Sequence, residues 1–330
     1  MSSIFTNELA RTSGRFPVRF RECFFVETLM STVLKGIAVA ACIATLPACQ
    51  TSPGSPATVK YMAVNGAGLA YVEQGRGTAV VFVHGGAGDY RSWETQRERL
   101  SGKYRTISYT QRYFGTEPWG TDWPKFSVQT HADDLAAFIR GLGAGPVHLV
   151  ARSYGGHIAL NVALRSPDLV KSAFVFEPIV PSYVTDAEEL KALGADAAVM
   201  FPPIMQAVQS GDNPEAVRRL IDAVGEQAGY FNALPQRTQA LMLDSARTMP
   251  LIVSAPPPPP ISCAQLAQIA APVVIARGEL SRPVHRVVAD GAGRCLPPGR
   301  LLVIPKTKHM WPSEEPEAFS QTLMAFLKDK

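Results

Sequence analysis

Short runs of consecutive apolar residues alternate with stretches of helical periodicity along most of the chain after Val59. The runs Ala79–Val83, Thr106–Tyr109, Val147–Ala151, Ser172–Phe176, Pro272–Ala276 and Arg300–Ile304 are short and mostly β-branched or aromatic, so they predict strands. Between them, Val128–Leu142, Tyr154–Arg165 and Pro316–Leu327 repeat apolar residues at spacings of three and four and predict helices. A strand apolar at successive positions must be covered on both faces, which is the pattern of a parallel sheet between two helical layers. Ahead of these, Lys60–Asn65 and Leu69–Gln74 alternate around Gly66-Ala67-Gly68 and predict a hairpin.

The alternation stops between Ile179 and Ala270. There the pattern is helical only (Glu188–Leu193, Val199–Gln209, Glu215–Val224, Gln236–Arg247), and a helical block between two sheet strands would sit over the sheet as a cap. The predicted architecture is α/β: a mostly parallel sheet flanked by helices over 59–178 and 271–330, with a helical cap inserted at 179–270. Five consecutive prolines, Pro256–Pro260, form a rigid connector that returns the chain from cap to sheet.

Composition narrows the function classes. With 32 Lys+Arg against 28 Asp+Glu, a formal charge of +4 and 46% hydrophobic residues in 330, the chain is neither a disordered tail, a disulfide-dense mini-domain nor a polybasic nucleic-acid binder. Residues 1–48 read as an export segment: Lys35, an uncharged stretch Gly36–Leu46, and Leu46-Pro47-Ala48-Cys49, which resembles a bacterial lipobox with an unusual Pro47. A signal of this kind ordinarily begins at the initiating Met, which points to a start at Met30. The expectation is an exported protein, periplasmic or anchored to the membrane by lipid on Cys49, with residues 49–58 as a tether. Loss of 1–48 halves the formal charge from +4 to +2 and, with Cys49 lipidated, leaves Cys263 and Cys295 as a pair, which predicts one disulfide in an oxidising compartment.

The chemistry concentrates in three places. In His148–Gly156, HLVARSYGG, an apolar strand meets a helix at Ser153. A serine in so tight a turn needs small residues two places away on each side, and Ala151 and Gly155 supply them, so Ser153 is the candidate nucleophile. In VVFVHGGAGDYRSW, a strand runs into His84-Gly85-Gly86, and the N–H groups of Gly86 and Tyr154 are the candidate oxyanion donors. In LLVIPKTKHMWPSEEPEAF, His309 falls in the loop after the last strand, where a general base can reach a nucleophile at the strand ends.

Together these pieces, with Ala271–Gly278 and the Glu315-Pro316 that follows His309, resemble the α/β-hydrolase superfamily over residues 59–330. That resemblance implies a Ser, acid, His triad in chain order, acyl-transfer chemistry, and no metal or cofactor. The acid departs from the pattern, because Ser281 stands where members usually carry Asp. Glu177, directly after the strand ending in Phe176, and Glu279, two residues short of the usual place, are the replacements; Glu177 is the favoured one.

Arg152, Arg112, Tyr113 and Trp119 are candidate pocket residues: Arg152 could favour an acidic substrate or merely pair with a structural carboxylate, and ordinary loop packing would explain the other three. Phe201, Met205, Tyr230, Phe231 and Leu234 are candidates for the cap's roof over the pocket. His84 and His157 read as structural, and His131, His148 and His285 have no metal-ligand spacing. The expected function is hydrolysis of an ester, lactone or related small carbonyl compound through an acyl-enzyme. The alternatives are C–C bond hydrolysis, cofactor-free haloperoxidase or oxygenase chemistry, and a non-catalytic small-molecule binder.

Overall fold

The computed structural model describes residues 58–328, so the expected export segment, Cys49 and nearly all of the tether lie outside the described residues. Strands β1 (Lys60–Val64) and β2 (Ala67–Gln74) form the predicted hairpin, followed by β3 (Ala79–Val83), α1 (Glu94–Leu100), β4 (Arg105–Tyr109), α2 (Val128–Leu142), β5 (Val147–Arg152), α3 (Tyr154–Arg165) and β6 (Val170–Phe176). Six helices then intervene: α4 (Ala187–Gln209), α5 (Asn213–Gly225), α6 (Tyr230–Ala233), α7 (Gln236–Leu243), α8 (Met249–Ser254) and α9 (Cys263–Ala267). The chain returns through β7 (Val273–Gly278), α10 (Pro283–Cys295), β8 (Leu301–Ile304), α11 (Trp311–Glu314) and α12 (Pro316–Lys328).

The eight strands form one sheet in the order β1-β2-β4-β3-β5-β6-β7-β8, antiparallel at β1/β2 and β2/β4 and parallel from there on. The continuous apolar runs follow from burial on both faces. On β6, Ala173 and Val175 face the layer containing α2, α3 and α10, while Phe174 and Phe176 face Trp93, Trp311 and Phe319 on the other side. The aromatic rings of that second layer meet edge-on or tilted, as at Phe174–Phe319, with centroids 5.7 Å apart.

The cap has its own apolar core, built around Met200, Ile204, Val217, Ile221 and Phe231, which continues into Val284 and Met310 of the hydrolase core. Ion pairs flank this seam: Asp196 on α4 with Arg282 (2.7 Å), Asp244 with Arg91 (2.6 Å) and Glu94 with Arg237 (2.7 Å). Two differences from the periodicity have physical causes. Helix α4 is continuous where two helices are predicted: the predicted gap, 194–198, lacks large apolar residues and opens on the weak helix former Gly194, yet is carried within the helix. Pro202 and Pro203 lie inside the second predicted stretch and do not end it. Helix α10 escapes the pattern because Gly291 and Gly293 dilute its C-terminal half.

Cys263 at the start of α9 and Cys295 at the end of α10 are disulfide-bonded across 32 residues, with Cα atoms 5.0 Å apart. The bridge ties the segment returning from the cap to the core. Replacing both cysteines with serine is expected to lower the unfolding free energy by roughly 3–4 kcal/mol, measured by denaturant titration without reductant. A change below ~1 kcal/mol would show that the loop is already restrained without the bridge.

Candidate active site

β5 is the central parallel strand, flanked by β3 and β6, and it ends at the position where the sequence places the nucleophile. Ser153 has φ 52° and ψ −125°, a backbone conformation that side-chain-bearing residues seldom adopt. It is held there by its own N–H donating to Phe176 O (2.9 Å) and by Gly156 N–H donating to Ser153 O (2.8 Å). The turn also presses against β3: a Cβ at position 155 would lie 2.4 Å from the carbonyl oxygen of His84, so only glycine fits. The Ser153 side chain is thereby presented at the N-terminus of α3, where the helix dipole favours negative charge.

The loop after β3 is fastened by His84. Its Nε2 accepts from Gln111 N–H (3.0 Å), so Nδ1 carries the proton and donates to Gly85 O (2.8 Å). Burial pushes this imidazole down to about 4, consistent with a neutral structural ring. The N–H groups of Gly86 and Tyr154 have no acceptor among the described residues, and both residues line the cavity above Ser153.

Glu177 follows β6 directly and takes φ 48°, which turns its carboxylate into the protein. The group is fully buried and accepts three hydrogen bonds. Oε1 accepts from Gly278 N–H (2.8 Å) and from the Ser281 hydroxyl (2.5 Å), and Oε2 lies 2.6 Å from His309 Nδ1. Nδ1 must therefore carry a proton, and Nε2 is left as the basic nitrogen. Burial raises the carboxyl of Glu177, opposed by the nearby His285, the Ser281 and Gly278 hydrogen bonds and Arg277. Burial, reinforced by the charge of Arg152, pushes His309 down to about 3, so the resting imidazole is neutral. Glu279, the alternative acid, is exposed and accepts from Lys306 N–H (2.9 Å), away from His309.

Ser153, His309, Gly86 and Tyr154 line one cavity of about 320 Å³ beneath the cap. Its walls are mainly apolar, with Ile179, Leu193, Met200, Phe201 and Ile221 from the cap segment and Met310 from the core. No hydrogen bond joins Ser153 Oγ to His309 in this conformation; contacts of this kind tighten when substrate binds. His285 also lines the cavity. Its ring stacks on that of His309, with centroids 3.8 Å apart and planes 8° from parallel, and both its nitrogens are buried without a partner. Glu177, His285 and His309 bring ligand-type atoms within 4.8 Å of one another, but the in-plane lone pairs of two stacked rings run parallel and do not converge on one ion.

Several candidate residues fall elsewhere. Arg112 is buried and forked onto Asp134 (2.7 and 2.8 Å), anchoring the loop after β4 to α2. Tyr113 packs edge-on against Trp119 and Trp123, while Trp119 lies under Arg247 at 4.8 Å, so none of the three lines the cavity. Of the roof candidates only Phe201 lines it. Phe231 is buried in the cap's own core, Leu234 packs on that core, Tyr230 donates to Glu314 Oε1 (2.6 Å), and Met205 is exposed. The pattern missed Arg112's partner because nothing in periodicity links positions 112 and 134. It missed His285 because α10 itself was not recognised.

The class follows from fold and site together: over residues 80–322 the chain matches the Alpha/beta hydrolase family, and it belongs to that family. Among similar proteins, the 2-(acetamidomethylene)succinate hydrolase of Mesorhizobium japonicum is 27% identical over 272 residues, covering 77% of this chain and 90% of that one. The fold matches the solved structure of an N-acyl homoserine lactone degrading enzyme with TM-score 0.65 and 19% identity, covering 81% of this chain and all of that one. It also matches a thermophilic esterase from Thermogutta terrifontis with TM-score 0.62 and 20% identity, covering 83% and 99%.

The two glutamates can be told apart by kinetics. Glu177→Gln leaves His309 without its carboxylate and is expected to lower kcat by roughly 10³–10⁴-fold, whereas Glu279→Gln is expected to stay within about threefold of wild type, because its carboxylate is solvated and touches only a backbone amide. Loss of activity in Glu279→Gln alone would overturn this assignment.

Proposed function

We propose that this protein is a serine hydrolase that cleaves an ester, lactone or related carbonyl compound through an acyl-enzyme. The observation carrying this reading is the convergence of Ser153, on its strained turn, and the His309–Glu177 pair on one cap-covered cavity. Ser153 Oγ adds to the substrate carbonyl as its proton passes to His309 Nε2, and the new oxyanion accepts from Gly86 and Tyr154 N–H. The C–O bond to the leaving group then breaks, and that oxygen takes the proton from His309. Water, deprotonated by His309, attacks the acyl-enzyme and releases the acid, so one water is consumed and Ser153 is regenerated. Glu177 holds the Nδ1–H tautomer throughout and stabilises the imidazolium formed in each half-reaction. The relative named for hydrolysing 2-(acetamidomethylene)succinate supports hydrolytic chemistry at such a site. The Cys263–Cys295 bridge supports the exported location read from residues 1–48.

A fluorophosphonate probe separates this reading from a binding protein that does not turn over. Wild type is expected to be labelled on Ser153, while Ser153→Ala should be unlabelled and its kcat on 4-nitrophenyl esters should fall by roughly 10⁵–10⁶-fold. An unlabelled wild type would favour the binder. Export is tested by intact-mass measurement of the membrane-associated product, which is expected to begin at a lipid-modified Cys49; retention of residues 1–48 would overturn it.

A further inference from the structure

The cavity above Ser153 is not the only space that Arg152 touches. Arg152 and Ala87 also line a second pocket of about 250 Å³, with polar walls, between α7 of the cap and α1 and α11 of the core. The guanidinium therefore stands at the seam of an apolar chamber and a polar one. It immediately precedes the candidate nucleophile. Its Nε and the Cβ of Ser153 both lie against Gly85, at 3.6 and 3.4 Å from where a Cβ would stand at that position.

The hydrogen bonding of this group is incomplete. Among the described residues, Nη1 donates to Ser313 Oγ (2.9 Å), Nε is buried with no acceptor, and Nη2 makes no hydrogen bond. Among the described residues no carboxylate lies within ion-pair distance of Arg152. The other arginines of the polar pocket are neutralised: Arg91 by Asp89 and Asp244, Arg237 by Glu94. The side chain is half-buried, and a guanidinium partly withdrawn from water ordinarily has an acid beside it. Nη2 and the second hydrogen of Nη1 are the donors left at the open end of the guanidinium, where a carboxylate can be received end-on.

We propose that Arg152 receives a carboxylate carried by the substrate, so that the enzyme selects anionic carbonyl compounds whose apolar part occupies the cap chamber. This rests on the serine-hydrolase reading and narrows its substrate class. The carboxylate belongs on the acyl side or the leaving group within a few bonds of the scissile carbonyl, because Arg152 adjoins Ser153. Arg152 acts here as a binding and specificity residue.

The test compares 4-nitrophenyl hexanoate with mono(4-nitrophenyl) adipate, two esters of equal chain length that differ in a terminal methyl or carboxylate. Wild type is expected to favour the adipate half-ester in kcat/KM. In Arg152→Met the ratio of the two kcat/KM values should fall roughly 10- to 100-fold, chiefly through KM of the adipate ester, with partial recovery in Arg152→Lys. Free adipate should inhibit wild type competitively, and hexanoate of the same concentration should inhibit it less, a comparison that needs no variant. Equal preference for the two esters in wild type, or an unchanged ratio in Arg152→Met, overturns the proposal. Fluorophosphonate labelling of Ser153 keeps the two ideas separate: labelling without adipate preference removes only the role of Arg152, and no labelling removes the hydrolase reading beneath it.

Discussion

The geometry of the site depends on one buried carboxylate. Glu177 sits at zero exposure, and it can remain there because Gly278 N–H, the Ser281 hydroxyl and His309 Nδ1 all donate to it. Each donor comes from a different segment: the end of β7, the loop beyond it, and the loop between β8 and α11. The carboxylate thus fastens together the chain ends that define the floor of the cavity. Removing the acid would strand two of these donors and free the His309 ring, so structure and chemistry share the same contact.

The same contact explains why a serine can stand where the family usually has aspartate. β6 and β7 are adjacent and parallel, with Phe176 opposite Ala276, so the residues just beyond each strand approach one point in space. Glu177 N–H donates to Ala276 O at 2.9 Å, fixing that approach. An acid can reach His309 from either strand end. When it comes from β6, the β7 side is free to provide a donor, and Ser281 does so. At the position where the resemblance leads one to expect an acid, Ser281 donates to the Glu177 carboxylate instead.

Much of this was legible in the chain. The elbow at Ser153 could be read because it needs a continuous apolar strand, two small residues and a helix start, and all three are local signals. Glu177 was legible as the residue ending an apolar run, but its choice over Glu279 was a preference, since the deciding contact spans 132 positions. The pocket was read less well. Arg112, Tyr113 and Trp119 follow a strand end as active-site residues often do, yet Asp134 and the neighbouring rings draw them into loop packing. Which cap residues face the substrate depends on how helices such as α4 and α5 dock, and amphipathic spacing shows only that each has a buried side. A helix that carries two prolines and still runs on is a case where tertiary contacts override local preference.

In the proposed reaction the charge of Arg152 would act in two opposite directions. It favours an oxyanion forming beside Ser153, and it disfavours the imidazolium that must form on His309 in the same step, since the two cations repel. A carboxylate seated on the guanidinium cancels much of that repulsion without touching His309. Proton affinity at the base would then rise when an anionic substrate is bound and stay low when the cavity is empty or holds a neutral one. In the proposed reaction, selection of an anionic substrate would act through the histidine as well as through binding, because Arg152 lowers His309 on top of the larger effect of burial.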